Sequence, residues 1–534
     1  MLNRFFNQLL AEEDEVDASS DTHKKSERQK IDLSLVITWL IIVVIALATR
    51  LFFLFIIDTP QDAHPGWYED VYHHWQIAYL SYSVGFKEGF LRLWDLKGVE
   101  YFWGLMHPLI LGGLMKLFGS TSIVIARVLS LAAGSMSLGF VYLLTRRYFN
   151  QQIALAAALM ATLHPVAIFS DASGMQEPLG IFLLLFGLWL WPKLPIVAGI
   201  LLMFSGMVRA EYWLLGAGVV VFMTLTKDKL EHKVMLVVSY IITMGIYMKY
   251  LVDRTGNAIY PVWWNFLGNA VGKWQADIAP TPEMIVIKYV YIGIIIVSTF
   301  GLLLLLKKRT LYTPFFALGI GNWLLLGVTV GLSKYLLSYL PRFWVDRIML
   351  LPYMFLAIWL ALIIFNLLKH KWLQPVGWIL VVGIIGASQL LWQPIYYWLG
   401  FTKTSFEDTR KMSNEIMQHY SDGALLIFED RPTFTYHLVN THGVKGENII
   451  GQMFDPFYYI QGDPYLNWGE NRVKILTWLQ QENIKIVVFP KTRDRYMELV
   501  KKEPDVFVDG QLLPQWGLWV YKIAQIDGEQ IEKL

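Results

Sequence analysis

The chain has 534 residues, of which 55% are apolar and only 16% are charged, and it contains no cysteine. This composition does not suit a soluble enzyme of such length and indicates a protein with many membrane spans. The lack of cysteine excludes disulfides, cysteine-ligated metals and thiol catalysis. The formal net charge is +2, and Lys and Arg gather in separate loops, so we expect no nucleic-acid partner.

The N-terminal segment 1–32 is polar and ends in a basic stretch around Lys24 and Lys25. The apolar run 33–57 follows, and no small-residue cleavage site comes after it. We therefore predict a cytoplasmic tail over 1–32, a first span over 33–57 and a first external loop over 58–122.

Apolar runs recur through residues 33–400, which predicts a transmembrane domain with about eleven helical crossings. Basic clusters such as Arg146-Arg147 fall on the cytoplasmic side of this arrangement, as the positive-inside rule requires. The shorter run from Met106 to Phe118 contains His107-Pro108 and Lys116, and it predicts an interfacial helix that does not cross.

Residues 401–534 have a different pattern. The runs Ala424 to Phe428 and Ile484 to Phe489 predict strands, and the segment Val473 to Gln481 between them predicts an amphipathic helix. We expect a small α/β domain of about 130 residues, large enough for its own core. An odd number of crossings from a cytoplasmic N-terminus makes this domain extracytoplasmic.

A run of acids and histidines, Glu69 to His74, follows the first span. We predict that Asp70 is a general base, while the alternative is a carboxylate that caps a helix. Asp70 and His74 have the i, i+4 spacing that puts both on one helical face. Glu69, His73 and His74 are candidate ligands for a divalent metal, and the sequence leaves open whether one is needed.

Other predicted outer loops also carry acids and arginines. Glu177 precedes Pro178 at a predicted helix start, where capping alone explains both residues. Arg209 follows the fifth predicted span, and Arg342 and Arg347 follow the ninth. Guanidinium groups match phosphate geometry, so this collection predicts a site for a membrane-anchored phosphate. Pairing with acids is the alternative for each arginine.

Several segments have the order of known motifs. Asp70 to Ala78 resembles a first external loop motif in which an Asp precedes an Ala by eight residues. Residues 106–149 resemble an amphipathic helix and second span, 170–179 a second acidic loop, and Val208-Arg209-Ala210-Glu211 an Arg-x-Glu turn. Together these segments resemble the GT-C superfamily of polytopic glycosyltransferases, of the dolichyl-phosphate-mannose and aminoarabinose transferase type.

The resemblance implies inverting transfer of one hexose or pentose from a polyprenyl-phosphate carrier to a glycan, lipid or protein acceptor. Asp70 falls on the family's catalytic acid, and Glu177 would orient the acceptor or a cation. We expect the reaction on the outer face of a prokaryotic plasma membrane. The residues expected to bind the donor and its lipid phosphate are His74, His107, Arg50, Arg209, Arg342 and Arg347.

The sequence departs from the family in two places. The usual Asp-Glu pair is reversed to Glu69-Asp70, which leaves the metal role open, and His107 stands where many relatives have a lysine. Arg50, in the outer half of the first span, has an alternative role as the partner of an acid on a neighbouring span.

Two other classes of function fit the predicted spans. A lipid-linked sugar transporter or flippase would favour two repeated halves, which the sequence does not show. A non-catalytic scaffold would not need acids and arginines collected on one side of the membrane. Within the enzymes, the Trp-Trp-Asp motif of oligosaccharyltransferases has no counterpart here.

Overall fold

The structure is a computed structural model. It describes residues 33–57, 70–83, 103–225, 228–269, 282–307, 319–324, 347–427, 432–451, 468–492 and 494–525. The chain forms two compact units. Unit 1 comprises Met1–Asp58, Leu129–Ala172 and Gln176–Tyr396, and unit 2 comprises Thr59–Val128, Ser173–Met175 and Tyr397–Leu534. The predicted division into tail, transmembrane domain and C-terminal domain stays a prediction.

Unit 1 is helical in the part of the chain that the structure describes. Its helices are mostly apolar, and several begin with proline in the first turn, where the missing N–H has no helical partner to lose. They are α1 (Leu33–Phe52), α4 (Val124–Tyr148, shared with unit 2), α5 (Gln151–Thr162), α6 (Pro165–Ser173), α7 (Glu177–Leu190), α8 (Pro195–Gly206), α9 (Ala210–Thr224), α10 (Leu230–Thr255), α11 (Tyr260–Asn269), α12 (Pro282–Lys307), α13 (Leu350–Leu367), α14 (Gln374–Ser388) and the start of α15 (Trp392–Met417).

Five helical stretches among the described residues are long and apolar enough to cross a membrane, or six if α5 and α6, bent by 60° at their junction, form one span. Helices α7, α8 and α9 are shorter apolar helices, where the sequence predicts crossings over 178–192, 194–208 and 212–226. The predicted α-helical membrane fold is confirmed, while the count of about eleven crossings stays a prediction. The five stretches are Leu33–Ile56, Val124–Tyr148, Leu230–Thr255, Leu350–Leu367 and Lys371–Tyr397.

Two packed groups organise unit 1. Helix α8 packs against α7, α9 and α10, and α13 packs against α5 and α12. Small residues let the helices approach closely, as is usual where helices pack in a membrane. Gly301 of α12, for example, lies beside the ring of the fully buried Trp359 of α13.

Unit 2 begins with two helices, α2 (Asp70–Ser83) and α3 (Met106–Phe118). The bounds of α3 are those predicted for the interfacial helix, and the helix ends because Gly119 takes the left-handed conformation, with φ of 60°. The rest of unit 2 is the C-terminal α/β domain. Its elements are the end of α15, β1 (Ala424–Ile427), α16 (Pro432–Asn440), β2 (Ile449–Gly451), α17 (Trp468–Gln481), β3 (Ile484–Pro490), α18 (Asp494–Lys502), β4 (Phe507–Leu513) and β5 (Leu518–Ile523).

The strands of the C-terminal domain form one sheet in the order β2-β1-β3-β5-β4. Strand β1 pairs in parallel with β2 and β3, whereas β5 pairs antiparallel with β3 and β4. Side chains alternate between the two faces, so Leu425 and Leu426 enter different cores. Helices α17 and α18 cover one face and α15 and α16 cover the other. The predicted C-terminal sheet domain is thus confirmed.

Candidate active site

Helix α2 carries the acid that the sequence singles out. It begins at Asp70, which is half-buried, and the next ten residues, Val71 to Leu80, are all buried. A carboxylate at this end is stabilised by the N-terminal charge of the helix dipole. A helix that is buried on every side must contact other elements all round, so α2 is held by its surroundings.

The histidines of α2 lie against the start of α3. The His73 ring stacks on Trp103, with 5.6 Å between ring centroids, and the His74 ring meets His107 edge to face at 5.4 Å. His74 and His107 are each 1% exposed. The structure therefore brings together His73, His74 and His107, which the sequence placed in two separate segments.

His107 lies in a site with little solvent. Neither of its ring nitrogens has a hydrogen-bond partner among the described residues. Burial lowers the pKa of His107 from 6.5 to about 4, so the imidazole is neutral at pH 7. A neutral imidazole donates one hydrogen bond and accepts another, which suits contact with a polar ligand better than permanent charge pairing.

An ionic cluster forms in unit 1 where α7 and α9 begin. Arg209 precedes α9 in an extended conformation, and its guanidinium reaches Glu177 at the start of α7. Its Nη1 donates to Glu177 Oε1 at 2.6 Å, and its Nε donates to Glu211 Oε2 at 3.0 Å. Arg347 approaches Glu177 from another segment, with Nε 3.2 Å from Oε1. Glu177 therefore links two of the predicted phosphate-binding arginines.

The formal charges within this cluster cancel. Arg209 and Arg347 face Glu177 and Glu211, and the side chain of Glu177 is only 1% exposed. Buried charges need partners of this kind because the cost of desolvation is otherwise large. Pairing with acids is the alternative that the sequence offered for these arginines, and their phosphate role stays a prediction.

Arg50 is fully buried and pairs with an acid of α6. Its Nε and Nη2 donate to Asp171 Oδ2 at 3.0 and 2.9 Å, and its Nη1 donates to the Thr162 carbonyl at 2.7 Å. This is the buried pair given as the alternative for Arg50, and its partner, Asp171, was not among the predicted site residues. Gly134 of α4 makes the room, because a Cβ at this position would overlap the Asp171 carboxylate.

Two candidate residues, Glu69 and Arg342, lie outside the described residues. Within the described ranges, no group of three His, Asp or Glu side chains is arranged to hold a metal ion. Whether His73 and His74 bind one together with Glu69 stays a prediction.

One polar side chain beside the ionic cluster of Glu177 and Arg209 was not predicted from the sequence. Gln176 immediately precedes Glu177, is fully buried, and neither atom of its amide has a partner among the described residues. A glutamine between two apolar segments carries a weak signal, because the same pattern is common at helix starts. Its burial becomes visible only in the structure.

Comparison with known proteins tests the resemblance. Residues 104–248, from the start of α3 into α10, match the family described as dolichyl-phosphate-mannose-protein mannosyltransferase. The resemblance to the GT-C glycosyltransferases is confirmed. The matched segment includes His107, Glu177 and Arg209, while Asp70 and Arg347 lie outside it. No curated protein matches the chain in sequence.

Solved structures of two GT-C proteins are similar to the chain. The Archaeoglobus fulgidus oligosaccharyltransferase in the apo form has 12% identity and a TM-score of 0.47, covering 92% of this chain and 75% of that one. ArnT from Cupriavidus metallidurans, bound to undecaprenyl phosphate, has 13% identity and a TM-score of 0.49, covering 92% of this chain and 98% of that one.

Proposed function

We propose that this chain is a membrane glycosyltransferase that moves one sugar, a hexose or a pentose, from a polyprenyl-phosphate carrier to an acceptor hydroxyl or amine. The match of residues 104–248 to the mannosyltransferase family carries the proposal. The apolar helices of unit 1 are suited to a membrane, where a polyprenyl tail would also lie. The half-buried Asp70 and the buried histidines of α2 and α3 supply groups suited to proton transfer and ligand contact.

The proposed reaction is a single displacement at the anomeric carbon. The acceptor heteroatom attacks this carbon and forms the new glycosidic bond, while the bond from the carbon to the phosphate oxygen breaks with its electron pair. The proton of the acceptor passes to the carboxylate of Asp70, and polyprenyl phosphate leaves. Attack from the face opposite the leaving phosphate inverts the anomeric configuration. Glu177 is assigned to orient the acceptor.

Arginine side chains are assigned to the departing phosphate. A guanidinium has five N–H donors, and Arg209 uses three of them on Glu177 and Glu211 in the described part of the chain, which leaves two. Arg209 can therefore contact a phosphate without giving up its carboxylate partners. Neutral His107 is assigned as a further hydrogen-bond donor, and Arg342 and Arg347 as additional cations.

The test of the proposal is a reconstituted assay with radiolabelled polyprenyl-phosphate sugars. Asp70→Asn keeps the size of the side chain but removes the base, so we expect kcat to fall by about 100-fold or more. Asp505→Asn, at an exposed position of the C-terminal domain, is the matched control and keeps wild-type kcat. Transfer by Asp70→Asn at the wild-type rate would refute the role of Asp70.

Carrier recognition is measured separately by thermal shift. Polyprenyl phosphate without a sugar should raise Tm, because a ligand that binds only the folded state stabilises it. The free prenol of the same chain length is the control, since it has the tail but not the phosphate. Equal shifts with both lipids would contradict a phosphate site.

A further inference from the structure

One face of α2 docks on the C-terminal domain through aromatic rings. The Tyr436 ring of α16 lies edge to face with Tyr72, at 4.8 Å between centroids, and with Trp75, at 4.9 Å. All three residues are at most 2% exposed. Edge-to-face rings contribute burial and some orientation, but they tolerate small sliding movements.

A buried hydrogen bond fixes the position of α2 along α16. The amide nitrogen of Gln76 donates to Thr435 Oγ1 at 2.7 Å, and these two residues are 2% and 0% exposed. A one-residue slip would leave buried polar groups without this bond, and such groups are costly. The pair therefore selects one arrangement among those that the aromatic rings allow.

Three further hydrogen bonds stabilise the docking of the same helix. The Trp75 indole donates to the Thr121 carbonyl at 2.6 Å, and the Thr121 hydroxyl donates to Asn440 at the end of α16 at 2.9 Å. One turn later, the Tyr79 hydroxyl accepts from the backbone N–H of Gly446 at 3.2 Å. The anchors thus occur on successive turns of α2.

The first residue of α2 is the proposed base. Asp70 precedes Gln76 by six residues, which is about 9 Å along a helix axis. A tilt of about 10° at Gln76 moves Asp70 by about 1.6 Å, and a misplacement of about 1 Å is enough to cost a factor of about 100 in rate. A contact that holds α2 in place at Gln76 therefore also holds the Asp70 carboxylate in position.

We propose that the C-terminal domain positions the base: Gln76 and Thr435 are positioning residues that hold α2, and through it Asp70, in the reactive orientation. This inference rests on the proposed function. It gives the C-terminal domain a direct part in catalysis, in addition to any part in binding the acceptor. Gln76 and Thr435 are buried against each other and act through α2, so we expect their loss to lower kcat and leave the KM of the donor unchanged.

The first experiment replaces Thr435 in the full chain. Thr435→Val keeps the shape of the side chain but removes the acceptor for Gln76, so we expect kcat to fall about tenfold with the KM of the donor unchanged. Thr477→Val, on α17 at the opposite face of the sheet, is the matched control and keeps wild-type values. Unchanged kcat in Thr435→Val would overturn the proposal.

The second experiment restores the docking by a different bond. A Cβ placed on Gly446 lies 2.8 Å from Ser83 Oγ, close to the separation of about 3 Å between a Cβ and the distal sulfur of a disulfide. The chain contains no cysteine, so Ser83→Cys with Gly446→Cys introduces a single thiol pair. In the Thr435→Val background, we expect oxidation to restore kcat and reduction to lower it again.

The controls separate docking from steric effects. Gly446→Cys alone makes the same steric change beside Tyr79 and should not respond to oxidant. Failure of the thiol pair to form a disulfide, while Gly446→Cys alone keeps wild-type kcat, would contradict the docked arrangement. A disulfide that forms without restoring kcat would overturn the positioning role.

A third measurement does not depend on sugar transfer. With Asp70→Cys as the only thiol, we expect maleimide to label position 70 several-fold faster when Thr435→Val is added. An unchanged labelling rate overturns the positioning role. A faster rate, with no transfer by the wild type from any polyprenyl-phosphate sugar, overturns the proposed function and leaves the positioning of α2 in place.

Discussion

The pair formed by Arg50 and Asp171 permits a test of structural against donor-binding roles. Arg50→Gln leaves the buried Asp171 without its cation, and we expect a loss of about 3–5 kcal/mol in the free energy of unfolding. Adding Asp171→Asn should recover most of this loss, as measured by Tm in detergent. If Arg50 also binds the donor phosphate, the double variant will be stable but will show a raised KM.

An exposed ion pair serves as the control for this cycle. Lys249 and Asp253 lie one turn apart on α10 and are 76% and 55% exposed. Lys249→Gln and Asp253→Asn should each change stability by less than about 1 kcal/mol. A similar small effect at Arg50 would contradict the buried pair.

Because the pKa of the buried His107 is lowered, we expect the free energy of unfolding to depend on pH. Its pKa in the folded chain, about 4, is below the ordinary 6.5, so between these values the unfolded chain binds a proton that the folded chain does not. Stability from this group is complete above about pH 6.5 and falls as pH decreases towards 4. We expect His107→Asn to show a smaller drop in Tm over this range, whereas His370→Asn, at an exposed position, should follow the wild type.

Among the helices, the contact of α4 with α6 depends on a glycine. Gly134→Ala places a methyl group where the Asp171 carboxylate lies, so we expect a marked loss of Tm. Gly245→Ala on α10 is the matched control, because a Cβ there meets no other atom within 4 Å. This control should be neutral or stabilising by up to about 1 kcal/mol. Equal effects of the two substitutions would contradict the close approach of α4 to Asp171.

Helix bounds could be read from the sequence because each apolar run ends at a turn or a charge. The predicted bounds of α3 agree with the structure for this reason. Side-chain partners could not be read in the same way. Arg50 could be expected to meet an acid, but only packing selects Asp171, and nothing local to Gln76 indicates Thr435. The strands β2, β4 and β5 were not predicted, since their short or mixed patterns do not stand out from loops.

For the whole molecule, the predicted topology is testable by labelling, since every thiol in a variant is an introduced one. Ser421→Cys, exposed before β1, should react with a membrane-impermeant maleimide in intact spheroplasts of the expressing cells. Lys229→Cys, exposed between α9 and α10, should react only after lysis. The opposite pattern would contradict an extracytoplasmic C-terminal domain.

The distance in sequence between the docking partners has a consequence for biosynthesis. Gln76 and Thr435 are separated by 359 residues, so the ribosome makes the partner of α2 about 18–70 s after α2 itself, at about 5–20 residues per second. During this interval, the surface of α2 that α16 later buries, which contains tyrosine, tryptophan and glutamine, stays exposed. We expect nascent chains that end before α16 to expose this surface to chaperones or proteases, and the acid-bearing helix to reach its final place only when synthesis is nearly complete.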